Sequence, residues 1–136
     1  MPLPFKPSEV RILIVEDNHI NRAVFLKQLQ QMEYDVAAVK NGQEAVDYYL
    51  EQTVDIILMD CAMPVMDGYE ATARIRQEQQ QQDHSPIIIG ITAFAMPEHR
   101  QKCLAAGMND YLPKPVYIKD LKAMLEQKIM DLAIAP

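Results

Sequence analysis

The sequence predicts an α/β domain of three layers, a five-stranded parallel sheet with helices on both faces. Short, near-continuous apolar runs rich in β-branched residues recur along the chain, as strands buried on both sides require. Longer amphipathic stretches opened by capping residues lie between them, so strand and helix alternate five times. The size agrees: 136 residues suit one domain. A composition of 49% hydrophobic and 24% charged residues excludes a disordered chain or a fibre.

Arg11–Val15 is the first strand, and a helix follows from about His19 to Met32 with Asn18 as its N-cap. Tyr34–Val39 is a weaker second strand. Asn41-Gly-Gln-Glu44 sets an acid three residues after a cap and opens a second helix to about Glu51. Val54–Met59 is the third strand; Asp67-Gly-Tyr-Glu70 repeats the capping pattern and opens a third helix to about Gln79. The glutamine run Gln77–Gln82 frays into a loop before the fourth strand, Ile87–Ile91. Pro97 suits the first turn of a fourth helix and Gly107 its stop. Asn109–Leu112 is a short fifth strand, and a fifth helix runs from about Ile118 to Met130. The domain is thus expected over residues 9–130, with tails at 1–8 and 131–136.

Right-handed crossovers put helices on both faces of this sheet. The expected strand order is 2-1-3-4-5, the flavodoxin-like doubly wound (βα)5 form, whose ligand crevice lies at the carboxyl ends of strands 1 and 3. That rule singles out Glu16, Asp17 and Asp60. Three carboxylates in one crevice repel, and a hard divalent cation with oxygen ligands offsets them; Mg²⁺, which keeps several waters, suits an open sheet edge. A plainer explanation, that the acids cap helices, serves Asp17 or Asn18. It does not serve Asp60, because Pro64 and Gly68 keep the chain in a loop beyond it. Thr92 ends the fourth strand and Lys114 follows the fifth, so a hydroxyl and a cation reach the same edge. Taken singly they read as strand filler and a solvated loop charge.

Several functions are excluded. Net charge is −6 with no Lys/Arg block, against nucleic-acid binding. No apolar run approaches the ~18 residues of a membrane span, and Met1–Pro7 has no signal-peptide core. Cys61 and Cys103 are too few for a disulfide scaffold and point to a reducing compartment.

Four separated motifs then carry a family resemblance. Val15-Glu-Asp-Asn18, Leu58-Met-Asp-Cys-Ala-Met-Pro-Val-Met-Asp-Gly-Tyr-Glu-Ala-Thr72, Ile91-Thr-Ala93 and Ala106-Gly-Met-Asn-Asp-Tyr-Leu-Pro-Lys-Pro-Val116 resemble, in order and over about residues 9–130, the response-regulator receiver domain of two-component signalling. The wording Met66-Asp-Gly-Tyr-Glu-Ala-Thr-Ala-Arg-Ile-Arg76, which continues the second motif, and that of the last motif are most similar to receivers fused to hybrid sensor histidine kinases. The resemblance implies that Asp60 accepts a phosphoryl group from a phosphohistidine. It implies Mg²⁺ held by Asp17, Asp60, the Ala62 backbone carbonyl and, through a water, Glu16. Lys114 would pair with the acylphosphate, Thr92 would bond a phosphoryl oxygen, and Tyr111 would change rotamer with it. The Lys114-Pro115 peptide would be cis. The domain would catalyse its own phosphorylation and slow dephosphorylation.

Two positions depart from a hydrolysis-assisting pattern. Ala62 has no polar side chain to orient water, and Phe94 is apolar and large, so neither is expected to assist hydrolysis.

Implied partners are a sensor histidine kinase or a histidine phosphotransfer protein. On the first helix Val24, Phe25, Leu29 and Met32 form a stripe for the core, while Ile20 and Ala23 offer an apolar docking surface beside the acids. His99, Lys102, Tyr111 and Lys119 lie on the face expected to report phosphorylation. Residues 131–136 leave no room for an output domain. Two forms therefore stand, a receiver of a hybrid kinase or a stand-alone regulator, each a monomer or weak dimer. The expected location is cytoplasmic, or the cytoplasmic part of a membrane-bound kinase. From other classes, an FMN carrier would want a Ser/Thr/Gly-rich phosphate loop where Glu-Asp-Asn stands. A dehalogenase-like phosphatase would want its nucleophile after the first strand. His19, His84, Cys61, and Met59, Met63, Met66, Met96 and Met108 read as structural.

Overall fold

The register of the strands brings Glu16, Asp17, Asp60, Thr92 and Lys114 to one edge of the sheet. The computed structural model describes residues 4–81, 85–93 and 97–134; His84, Phe94 and Met96 lie outside them. The elements are β1 (Arg11–Val15), α1 (His19–Gln31), β2 (Asp35–Val39), α2 (Gly42–Glu51), β3 (Ile56–Asp60), α3 (Gly68–Glu78), β4 (Ile87–Thr92), α4 (Pro97–Ala106), β5 (Asp110–Pro113) and α5 (Ile118–Ile134). All strand pairs are parallel, in the order β2-β1-β3-β4-β5. Single 3-10 turns occupy Pro7–Glu9 and Gln79–Gln81.

Alternation along the strands divides the core in two. Leu13, Val15, Ile57, Met59 and Ile88 pack with α2, α3 and α4 residues such as Ala45, Val46, Ala71, Ile75 and Cys103. Ile12, Ile14, Ile56, Leu58, Ile89 and Ile91 pack with Leu29 of α1 and Leu121, Leu125 and Ile129 of α5. Capping follows the sequence pattern. The Asn18 Oδ1 accepts from the amides of Ile20 and Asn21 (both 3.0 Å), Asn41 Oδ1 from Glu44, and Asp67 Oδ1 from Glu70.

The structure corrects three details. β3 begins at Ile56 rather than Val54; Asp60 ends it and Thr92 ends β4, as expected. α5 continues through Ile134: residues 131–134, expected as tail, are helical because the spacing Leu121, Leu125, Ile129, Leu132 keeps an apolar stripe against the core. Val24 is 49% exposed. The core stripe of α1 is Phe25, Leu26, Leu29 and Met32, and Val24, about 100° around the helix from Phe25, faces outward.

At the amino edge of the sheet, Arg76 of α3 ties three segments together. Its guanidinium donates to the carbonyls of Gly107 and Pro86 and to Gln79 Oε1 and Asn109 Oδ1, each at 2.8 Å. Asn109 Oδ1 also accepts the Ile88 amide. Gly107 closes α4 at φ +108°, a backbone region glycine adopts freely, and a Cβ there would meet Arg76 Cγ at 2.8 Å. Among the described residues no helix is long and apolar enough to cross a membrane.

Candidate functional site

β1 and β3 are neighbours, and their ends deliver the acids. Glu16 and Asp60 are each 2% exposed, whereas Asp17 is exposed. One carboxylate oxygen from each of the three lies within 4.8 Å of the others. Lys114 Nζ reaches Asp60 Oδ1 at 3.1 Å, and the Ala62 amide donates to the same oxygen at 3.2 Å. The Asn18 amide donates to Glu16 Oε1 at 3.2 Å. Arg22 of α1 donates to the Glu16 carbonyl at 2.9 Å, fixing the turn that carries both acids. The Lys114 amide donates to the Thr92 carbonyl at 2.7 Å, so β5 brings its lysine alongside Thr92, which is buried. The Lys114-Pro115 peptide is cis, as the resemblance implied.

This arrangement is short of positive charge. Burial pushes the Glu16 carboxyl from 4.5 up to about 7. Its hydrogen bond to Asp60 and that neighbour's charge push the same way, against the weaker pull of Lys114 and the Asn18 amide. Without a cation, the Glu16 carboxyl is therefore partly protonated near neutrality. Hard carboxylate oxygens at a half-open edge form a donor set that fits a divalent cation such as Mg²⁺.

The backbone behind Asp60 is tightly closed. Gly68 opens α3 with its amide on the Cys61 carbonyl (3.2 Å), and a Cβ at 68 would overlap the Asp60 carbonyl oxygen. In the loop between, Val65 has φ +72° and is 89% exposed. Cys61 is buried against Cys103 and Tyr69. Burial, with Cys103 adding to it, pushes the Cys61 thiol up to about 12, so it stays a neutral packing group.

Two cavities open from the edge. One of about 510 Å³ is lined by Asp60, Thr92 and Lys114 together with Tyr69, His99 and Lys102. The other, of about 470 Å³, runs beside Glu16 between Val24, Phe25 and Gln28 of α1 and Pro115 and Val116. Glu16, Asp17, Asp60, Ala62, Thr92 and Lys114 thus come together at this edge. Tyr111 is half-buried and packs against the cluster containing Cys103 and Met108. Ile20 (62% exposed) and Ala23 sit on the outer face of α1 near the second cavity. The sequence did not reveal Tyr69, whose ring lies 4.3 Å from Lys102 Nζ. Its position one residue past the glycine of Asp67-Gly68 was a signal, since that turn folds back onto Asp60.

Comparison with known proteins agrees with the geometry. Residues 12–126 match the family model of the response regulator receiver domain. The chain is 40% identical over 130 residues to hybrid signal transduction histidine kinase B of Dictyostelium discoideum, covering 89% of this chain and 7% of that protein. It is 38% identical over 118 residues to the sensor histidine kinase RcsC of Escherichia coli K12, covering 87% of this chain and 12% of that one. The chain therefore spans only a small part of these relatives. Among solved structures it resembles the receiver domain of Saccharomyces cerevisiae Ssk1, determined with the histidine phosphotransfer protein Ypd1 (TM-score 0.87, 34% identity, 92% of each chain). It also resembles the receiver domain of Pseudomonas aeruginosa sensor kinase PA1611, determined with magnesium in its active-site cleft (TM-score 0.79, 42% identity, 88% of this chain and 97% of that one).

Proposed function

The chain belongs to the response-regulator receiver domain family, and from that premise we propose that Asp60 takes the phosphoryl group from a phosphohistidine. One observation carries the assignment. Asp60 is the buried carboxylate on which Lys114 (3.1 Å), the Ala62 amide and the Glu16–Asp17 pair all converge. Membership sets aside the flavin carrier and the dehalogenase-like phosphatase.

In this reading an Asp60 oxygen attacks phosphorus in line. The phosphorus–oxygen bond forms as the phosphorus–nitrogen bond to the donor imidazole breaks, and the electron pair leaves on that nitrogen. Lys114 and the Ala62 amide hold the Asp60 carboxylate plane and face the incoming oxygens. Glu16, Asp17, Asp60 and the Ala62 carbonyl would hold Mg²⁺, which when bound neutralises charge on the transferring group. Thr92 bonds a phosphoryl oxygen and Tyr111 answers by changing its packing, which makes β4, β5 and α4 the switch. With alanine at 62 no side chain there orients water, so dephosphorylation is slow. The test is mass spectrometry after incubation with acetyl phosphate and Mg²⁺. The native chain gains one phosphoryl group and Asp60→Asn does not; equal gain by both overturns the assignment.

The donor is a histidine kinase or a histidine phosphotransfer protein, and the chain acts as the receiver module of a hybrid kinase. The apolar outer face of α1 supports this, with Ile20, Ala23 and the exposed Val24 beside the second cavity. Ile20→Lys slows transfer from a protein donor and spares acetyl phosphate; equal slowing of both defeats the docking assignment.

A further inference from the structure

We propose that Lys102 is a second cation of the acceptor site, resting on the Tyr69 ring before phosphorylation and drawn to the phosphoryl group after it, so that the modification pulls on α4. The inference rests on reading Asp60 as the acceptor.

Lys102 shares a cavity of about 510 Å³ with Asp60, Thr92 and Lys114, on the wall formed with Tyr69 and His99. Its ammonium lies 4.3 Å from the Tyr69 ring centroid. A cation–π contact at an exposed site is weak beside the attraction of a dianion, so Tyr69 holds the charge near the site without trapping it. Charge balance says when it is needed. Glu16, Asp17 and Asp60 set against Lys114 leave two negative charges, which a divalent cation cancels. Phosphorylation replaces the single charge of the Asp60 carboxylate with about two at neutral pH. The ligands of the resting site are then one positive charge short, and Lys102 is an ammonium of the same cavity on a stem long enough to turn.

The consequence falls on α4 because of how that helix is held. α3 buries Gly68, Ala71, Thr72 and Ile75, whereas the buried residue of α4 is Cys103, adjacent to Lys102. A pull at 102 therefore acts beside the attachment of a lightly anchored helix. Lys102 is a positioning residue in this account: it fixes the product state and links it to α4.

The experiment titrates the chain with Mg²⁺ alone, then with trifluoroberyllate as a phosphoryl mimic at saturating Mg²⁺, following amide resonances by NMR. Lys102→Gln is expected to weaken trifluoroberyllate about tenfold, the loss of one charge-assisted hydrogen bond. It should leave Mg²⁺ binding no weaker, because a nearby positive charge has gone. Lys102→Arg should recover most of the affinity, and the shifts of α4 amides on trifluoroberyllate binding should shrink in Lys102→Gln. Tyr69→Leu, which frees the ammonium, should bind trifluoroberyllate at least as tightly as the native chain. Trifluoroberyllate binding by Lys102→Gln equal to native overturns the proposal, as does an equal weakening for Mg²⁺, which marks a general structural loss. Asp60→Asn separates the two levels of the argument. If the native chain fails to bind the mimic, or Asp60→Asn binds it equally, the acceptor assignment fails and takes this inference with it.

Discussion

The two edges of the sheet each gather polar side chains around a charge removed from water, and they resolve it in opposite ways. At the amino edge Arg76 is matched by four neutral oxygens at 2.8 Å, all supplied by the chain itself. At the carboxyl edge three acids face Lys114, and burial, reinforced by Asp60 beside it, pushes the Glu16 carboxyl up to about 7. Polar groups that serve the fold are satisfied internally. Groups that serve chemistry are left with a deficit that something from outside must fill, at some expense of stability.

The largest test of that contrast is Arg76→Ala. It removes four charge-assisted bonds and orphans two main-chain carbonyls, and it should cost about 3 kcal/mol in urea unfolding. Arg76→Lys should recover less than half, since a single ammonium cannot reproduce the planar fork. A cost under about 1 kcal/mol would mean that the amino edge is not held by this cluster.

Next is the pH dependence of the metal-free protein. Glu16 titrates near 7 when folded, above its ordinary 4.5, so between those values the native state keeps a proton that the unfolded chain has released. The Glu16 contribution is therefore full below about 4.5, declines as pH rises to 7, and is gone above it, a loss of about 3 kcal/mol at most. Glu16→Gln should flatten this slope in denaturant titrations at several pH values, whereas Arg76→Ala should leave it in place.

Smaller again is the effect of cation. Mg²⁺ at ten times its Kd should stabilise the chain by about 1.4 kcal/mol, or about 4 °C in Tm. Asp60→Asn should raise the metal-free Tm by removing one of the crowded charges, and should abolish most of the Mg²⁺ increment. A fall in metal-free Tm would show that the pairing with Lys114 outweighs the repulsion. Smallest is a control away from both edges. Glu33 follows α1 at φ +71°, and Glu33→Gly should stabilise by about 0.5 kcal/mol with the Mg²⁺ increment unchanged.

The carboxyl edge was legible in the sequence because strand ends and motif spacing both point to it. Apolar runs terminate at Val15 and Met59, and the next residues are the acids. What could not be read is depth: Glu16 and Asp17 are adjacent in the chain, yet one is buried and the other exposed, and only the fold separates them. The amino edge was invisible for a different reason. Arg76 is one of two arginines on α3, and its partners include main-chain carbonyls 10 and 31 residues away, which leave no pattern of side chains. The same blindness explains Val24, assigned to the core by hydrophobicity when its angular position turned it outward, and the last turn of α5, whose apolar spacing outlasted the expected boundary.

Gly68 fixes one side of Asp60. With no room for even a methyl group between α3 and the Asp60 carbonyl, that helix is seated hard against the strand and has nowhere to go. If Asp60 is the acceptor, any rearrangement that follows new charge there would be steered to the opposite flank, toward α4 and β5. In that reading the close approach at Gly68 would act as a backstop, so that a change at Asp60 is passed on by one side only.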